Sequence, residues 1–335
     1  MPVRDLIVRD IIMCIFPFAA AFVFAAVSGL YLIPWLHKLK FGQEIREEGP
    51  NWHQKKSGTP TMGGIMFIVG MGLSLIIMNI FHAQPKMILM YCISLGFGFI
   101  GCVDDYIKVV KKRNLGLTAP QKFGMQLFLT AAYLIVLYLL GELSTDIYIP
   151  FVKVTWTMPL WLYVVMAFFV VTGTVNAVNL TDGLDGLASS ITIVVGTFFA
   201  VASGMARDNQ TMIYSILLVG GTAGFLLYNH YPAKVFMGDT GSLFLGGAIS
   251  VIAIGLKMPL ILIIAGFVYL FEALSVIMQV TSYKLTKKRI FKMAPVHHHF
   301  EMCGWNEKKI VAVFTAVTFV LCVIAVLAIM PGLGL

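Results

Sequence analysis

Residues 158–186 read MPLWLYVVMAFFVVTGTVNAVNLTDGLDG, and the passage from their first half to their second sets the architecture. Positions 158–177 carry no charge. At about 1.5 Å per residue, roughly 20 such residues cross a bilayer core of about 30 Å as a helix. The run then ends in oxygen-bearing side chains at a spacing of three, Asn176, Asn179, Asp182 and Asp185, with Gly183 and Gly186 between them. Working outward, comparable apolar runs lie near 13–33, 62–81, 87–106 and 122–140, and then near 187–204, 211–230, 241–257, 260–282 and 310–330. With 59% hydrophobic and 12% charged residues, the 335-residue chain is far more apolar than a soluble domain. The expectation is an all-α polytopic membrane protein of about ten transmembrane helices. No repeat and no low-complexity linker divides it, so residues 1–335 form one domain.

The basic residues orient these spans. One set of alternate loops holds Lys38 to Lys56, Lys108 to Lys122, Lys234 and Lys284 to Lys309; the other holds Arg4, Arg9, Lys86, Lys153, Arg207 and Lys257. The first, richer set faces the cytoplasm, which puts both termini outside. The first span has no small-residue cleavage site after it and reads as a retained helix. In the outer loop at 141–156, Ile147 and Ile149 alternate with Tyr148, and Val152 and Val154 flank Lys153, a pattern for a small external β-hairpin. The net charge of +8 follows from the orientation bias; no nucleic-acid module accompanies it, and anionic headgroups or an anionic cytosolic substrate fit it better. The five cysteines form no CxxC pair and read as reduced packing residues.

Five aspartates, Asp104, Asp105, Asp182, Asp185 and Asp239, stand at the ends of spans, where an ionisable group is costly and by default functional. All fall on the cytoplasmic side, from three loops far apart in sequence. Asp104, Lys108 and Lys112 share a helical face. A snorkelling lysine paired with a carboxylate reads the same way, but the adjacent Asp105 needs a metal, a lysine or a proton beside it. The 176–185 row reads as a ligand wall or as a polar helix terminus. In FMGDTGS, Phe236 precedes Asp239 by three, suited to stacking on a base beside a carboxylate, while an N-cap aspartate has the same local sequence. His297, His298 and His299 are consecutive, a poor spacing for one ion, and favour hydrogen bonds to phosphate over zinc. Hard oxygen donors with lysines nearby suit Mg2+ and phosphoryl transfer, and no P-loop or dinucleotide fingerprint is present. An ion-coupled transporter is the rival class, but only Glu272 lies deep in a span, where it pairs with a neighbouring helix or supports a bend.

Together, GTPTMGG at 58–64, DDYIK at 104–108, NAVNLTDGLDGLA at 176–188, FMGDTGS at 236–242 and HHHFE at 297–301 closely resemble the phospho-N-acetylmuramoyl-pentapeptide transferases, the MraY family. These belong with the polyprenyl-phosphate N-acetylhexosamine-1-phosphate transferases, some of which use UDP-N-acetylglucosamine. The resemblance implies transfer of phospho-MurNAc-pentapeptide from UDP-MurNAc-pentapeptide to undecaprenyl phosphate in the bacterial cell membrane, giving lipid I and UMP. It also implies Mg2+, a homodimer, and a lipid groove beside a bent ninth helix. Carried over by position, Asp239 is the metal ligand, Asp104 and Asp105 are the catalytic acidic pair, and Phe236 stacks on uracil. Asn176, Asn179, Asp182, Asp185 and Asn229 line the nucleotide and sugar pocket, with Thr61 of GTPTMGG also on the substrate. Lys56, Lys108 and Lys112 meet phosphate, and catalytic His297 with His298 and His299 borders the sugar phosphate and peptide.

Overall fold

The computed structural model describes residues 3–39, 58–81, 84–110 and 116–330, with the backbone alone for 3–13 and 110. Helices α1 (Val3–Lys38), α2 (Ile65–Phe81), α3 (Pro85–Val110) and α4 (Ala119–Leu139) lead to a hairpin of β1 (Asp146–Ile149) and β2 (Val154–Thr157). Helices α5 (Leu160–Thr181), α6 (Leu187–Met205), α7 (Asn209–Asn229) and α8 (Gly238–Gly255) follow. A 3-10 turn (Pro259–Ile261), the short α9 (Leu262–Ala265), α10 (Phe267–Thr286), α11 (Val296–Met302) and α12 (Glu307–Ile329) complete the described chain.

Every apolar run in the sequence is helical. Among the described residues, eight helices are long and apolar enough to cross a membrane, and nine if the bent pair is one span. Helix α2, with 17 residues, is shorter. The expected ninth span is broken: the 259–265 segment and α10 meet at 83° across Gly266. The expected hairpin forms with antiparallel register Ile147 to Trp156 and Ile149 to Val154.

Helix α8 is the centre of the bundle, packed by α3 on one side and α5 on another. Its sequence, GDTGSLFLGGAISVIAIG, explains how. A Cβ on Gly246 would sit 2.6 Å from Val175 Cα, and one on Gly247 2.6 Å from the Phe97 ring, so the glycine pair admits both neighbours to close approach. Buried Leu243, Phe244, Ile249 and Ile252 fill the remaining interior.

The two ends of the bundle differ in chemistry. At one end Lys86 pairs with Asp208 and donates to the Gly255 carbonyl at 3.2 Å, tying α3, α7 and α8. The hairpin joins there, Tyr148 N–H donating to Lys257 O at 2.8 Å and Phe151 N–H to Ala328 O at 3.2 Å. The opposite end gathers the termini of α3, α5 and α7 with the starts of α4, α6 and α8, and all five aspartates lie there.

Candidate active site

The centre of the aspartate end is the first turn of α8. Gly238 opens it at φ +73°, a left-handed conformation that glycine adopts without strain. Helix α3 approaches so closely at Gly101 that a Cβ there would fall 2.0 Å from Asp239 O. This contact brings Asp105 onto the end of α8. Its Oδ1 accepts from Asp239 N–H at 3.1 Å, and its Oδ2 from Thr240 N–H at 2.9 Å and Thr240 Oγ1 at 2.7 Å. The carboxylate thus caps α8 from another helix, satisfying free N–H groups at the positive end of the helix dipole.

Asp104 and Asp239 hold a charge network beside that cap. Lys108 Nζ lies between them, 2.6 Å from Asp104 Oδ2 and 2.9 Å from Asp239 Oδ2. Lys122 Nζ, from the first turn of α4, is 2.8 Å from the same Asp239 oxygen. Asn179 donates through Nδ2 to Asp239 Oδ1 and to Ser242 Oγ, each at 2.8 Å. Asp104 Oδ1 accepts from Leu117 N–H at 2.8 Å, which fixes the entry to α4. Helices α3, α4, α5 and α8 therefore converge on one cluster of carboxylates and ammonium groups. Lys122 was counted in the sequence only as a flanking charge. Its role depends on an approach between residues 117 apart in the chain, and no local spacing marks it.

The remaining polar row divides by task. Asn176 exchanges hydrogen bonds with buried Gln126 of α4, at 2.7 and 3.3 Å, and clamps two helices. Asn229 Oδ1 accepts from Gly186 N–H and Ser189 Oγ while its Nδ2 donates to Val235 O, joining α6 to the loop before α8. Asp185 Oδ2 accepts from Ala233 N–H at 2.9 Å. Asp182 ends α5 half-buried, and no described side chain pairs with it. Burial first, then the carboxylates of Asp239, Asp105 and Asp185, push it well above the usual carboxylate range. A cation or an N–H donor arriving at this end finds Asp182 available.

The segment around Thr61 forms a second wall. Phe236 N–H donates to Pro60 O, and Gly63 and Gly64 donate to Phe236 O and Met237 O, so the loop before α8 lies strand-like on residues 60–64. Phe236 is half-buried and Thr61 buried. Lys56 and Lys112 lie outside the described residues.

The three histidines of α11 take three different partners. His297 is buried against Glu272 of α10, His298 Nδ1 lies 2.6 Å from Glu301 Oε2, and His299 Nδ1 accepts from Lys292 N–H at 3.1 Å. The rings of His297 and His298 nevertheless lie close, with centroids 4.2 Å apart. Helix α10 holds the segment a second time through Gln279, which accepts from Ile290 and Phe291 N–H and donates to Phe291 O.

Carboxylate oxygens of Asp104, Asp105 and Asp239 lie within 4.8 Å of one another. Hard oxygen donors of this kind fit a magnesium ion bound by one or two carboxylates and substrate phosphate. Two ammonium groups already seated on Asp239 mark the same spot as favourable to positive charge. Asp105, engaged by α8, is the least free of the three.

Comparison with known proteins gives the family. Residues 87–257 match the family model for glycosyl transferase family 4, and residues 56–68 match phospho-N-acetylmuramoyl-pentapeptide-transferase signature 1. The chain is 49% identical to a phospho-N-acetylmuramoyl-pentapeptide-transferase of Clostridium acetobutylicum over 92% of its length and 96% of that protein. To a Clostridium botulinum protein of the same name it is 50% identical over 92% of its length and 94% of that protein. A third, from Clostridium novyi, is 47% identical over 96% of this chain and 98% of its own.

Proposed function

This chain belongs to the phospho-N-acetylmuramoyl-pentapeptide-transferase family, and on that premise we propose that the cluster of Asp104, Lys108, Lys122 and Asp239 is where it breaks and makes the phosphoanhydride bond. The enzyme transfers phospho-MurNAc-pentapeptide from UDP-MurNAc-pentapeptide to undecaprenyl phosphate, forming lipid I and UMP. The observation that carries the site is the seating of two ammonium groups on the Asp239 carboxylate beside Asp104, at the entry to the central helix.

The reaction makes limited demands on a base. The second pKa of a phosphate monoester is about 6, so much of the lipid phosphate is already a dianion at neutral pH. A lipid phosphate oxygen attacks the sugar-linked phosphorus in line, the bond from that phosphorus to the bridging oxygen breaks, and UMP leaves with the electron pair. Asp104 orients the incoming phosphate and takes any remaining proton. Lys108 and Lys122 exchange their carboxylate partners for phosphate oxygens and neutralise charge as it shifts to UMP. A magnesium ion held by Asp239, with Asp104 near, would supply further neutralisation of the pyrophosphate. Asp105 keeps the α8 terminus in place.

In this reading Phe236 stacks on uracil, with Asn179, Asp182 and Asp185 around the nucleotide and sugar, while Asn176 and Asn229 hold the pocket walls. Thr61, Lys56 and Lys112 contact substrate, and the α11 histidines border the sugar phosphate and peptide. The site faces the cytoplasm, where the nucleotide substrate is soluble, both termini lie outside, residues 1–335 act as one domain, and the enzyme works as a homodimer.

The test runs purified protein with undecaprenyl phosphate and magnesium against UDP-MurNAc-pentapeptide and UDP-N-acetylglucosamine in parallel. Turnover of the muramoyl substrate alone is expected; turnover of the other sugar would move the chain to the sister branch. UMP released without lipid acceptor, or a phosphorylated aspartate trapped, would replace in-line attack by a covalent route.

A further inference from the structure

Two of the buried side-chain atoms that lack a hydrogen-bond partner among the described residues belong to one pair: Glu272 Oε1 and His297 Nε2. Glu272 is 0% exposed and His297 1%. Glu272 Oε2 lies 3.1 Å from His297 Nδ1 and accepts from His297 N–H at 3.4 Å, so the carboxylate grips the ring and its own backbone together. A carboxylate in that position takes the proton-bearing nitrogen, which leaves the imidazole with Nδ1–H toward Glu272. The other nitrogen points at the TDGLDG turn. A Cβ built on Gly183 would fall 2.2 Å from Nε2, so only glycine leaves the ring room.

A tie that served only to join α10 and α11 would satisfy both partners, since an unpaired buried polar atom costs about 1–3 kcal/mol. Here each partner keeps one polar atom unused, and Nε2 is directed at the residue beside Asp182. We propose that Glu272 is a positioning residue for the transfer reaction: it fixes the tautomer and direction of His297, so that Nε2 is held toward the turn that receives the sugar-nucleotide substrate. This rests on the reading that the 182–185 turn lines the substrate pocket. Glu272 also roots the arrangement in α10, the longer arm of the broken span.

Glu272→Gln tests it with little change in volume. A glutamine amide can donate to Nδ1 and so release the opposite tautomer, the defect expected when a carboxylate orienting a histidine becomes an amide. The expected result is a kcat at least about tenfold lower, with KM for UDP-MurNAc-pentapeptide within about threefold of wild type. Glu272→Asp, which keeps the charge, recovers part of the rate. The double variant Glu272→Gln with His297→Ala is no slower than His297→Ala alone, because Glu272 acts through the ring. A Glu272→Gln variant with wild-type kcat, or losses that add in the double variant, would overturn the proposal. Nitrogen-15 resonances of His297 report the pair without turnover: Nδ1–H in wild type that changes in Glu272→Gln supports it, and Nε2–H in wild type refutes it. Failure of wild type to turn over the muramoyl substrate would count against the proposed reaction, while the nitrogen-15 spectrum still decides the pair.

Discussion

Lys122 and Asp239 meet across 117 residues of sequence, and their contact shows what a single side chain does at this site. With Lys122 removed, Asp239 keeps Lys108 and Asn179, and one ammonium group is lost from the phosphate path. We expect Lys122→Gln to lower kcat/KM at least about tenfold, a loss of about 1.4 kcal/mol of transition-state stabilisation, measured as UMP release at saturating magnesium. A rate within about twofold of wild type would remove Lys122 from the site. Asp104 and Asp239 were legible in the sequence because a carboxylate at the end of an apolar span stands out against its surroundings. Lys122 was not, since a lysine at the end of a span is ordinary and its meaning comes from the ion pair it makes with Asp239 once α4 is packed on α3 and α5. Asn176 and Asn229 show the converse. The spacing for Asn176 and the resemblance for Asn229 suggested substrate contacts, and in the folded chain their amides bond Gln126, Gly186, Ser189 and Val235.

At the scale of elements, Asp105 and Asp104 are adjacent in sequence but serve different helices. Asp105 caps α8 with three hydrogen bonds, so Asp105→Asn loses stability as well as activity, by about 1–3 kcal/mol for bonds to a charged acceptor. Asp104→Asn, which touches the lysine and one loop N–H, loses activity with a smaller change in thermal midpoint. Parallel melting of the two variants in detergent checks this, and equal midpoints would contradict the capping role. Sequence spacing could not show the difference, because the cap of α8 comes from α3 and the residue before Gly238 supplies none. The far end offers a pH test. Burial opposes ionisation of Asp208, but Lys86 and the Thr211 hydrogen bonds outweigh it and hold the carboxyl below its ordinary value. A depressed folded pKa stabilises above the unfolded value of about 3.9 and ceases to do so as pH falls through the folded value. Asp208→Asn should therefore lower the thermal midpoint at pH 7, by about 1 kcal/mol of stability. The gap between variant and wild type should close in strong acid. A gap that stays constant with pH would assign the loss to shape alone.

For the whole molecule, the apolar runs placed the helices because span length and hydrophobicity act locally, whereas a bend in the ninth span was implied only by the family resemblance, and its place at Gly266 and its 83° came from the structure. The proposed orientation, with the aspartate end in the cytoplasm, rests on the lysine distribution, and single cysteines test it. In a background keeping only exposed Cys303, a membrane-impermeant maleimide should label the protein after cells are opened and not before. Val152→Cys on the outer hairpin should label in intact cells, and the reverse pattern would invert the molecule. The central claim is that the cluster at the start of α8 carries phosphoryl transfer to the lipid. Its most direct test is the initial rate of lipid I and UMP formation by wild type and Asp239→Asn, reconstituted side by side with undecaprenyl phosphate, UDP-MurNAc-pentapeptide and magnesium. The account predicts equal amounts of both products from wild type and at least about a hundredfold slower formation by a folded Asp239→Asn; comparable rates from the two would contradict it.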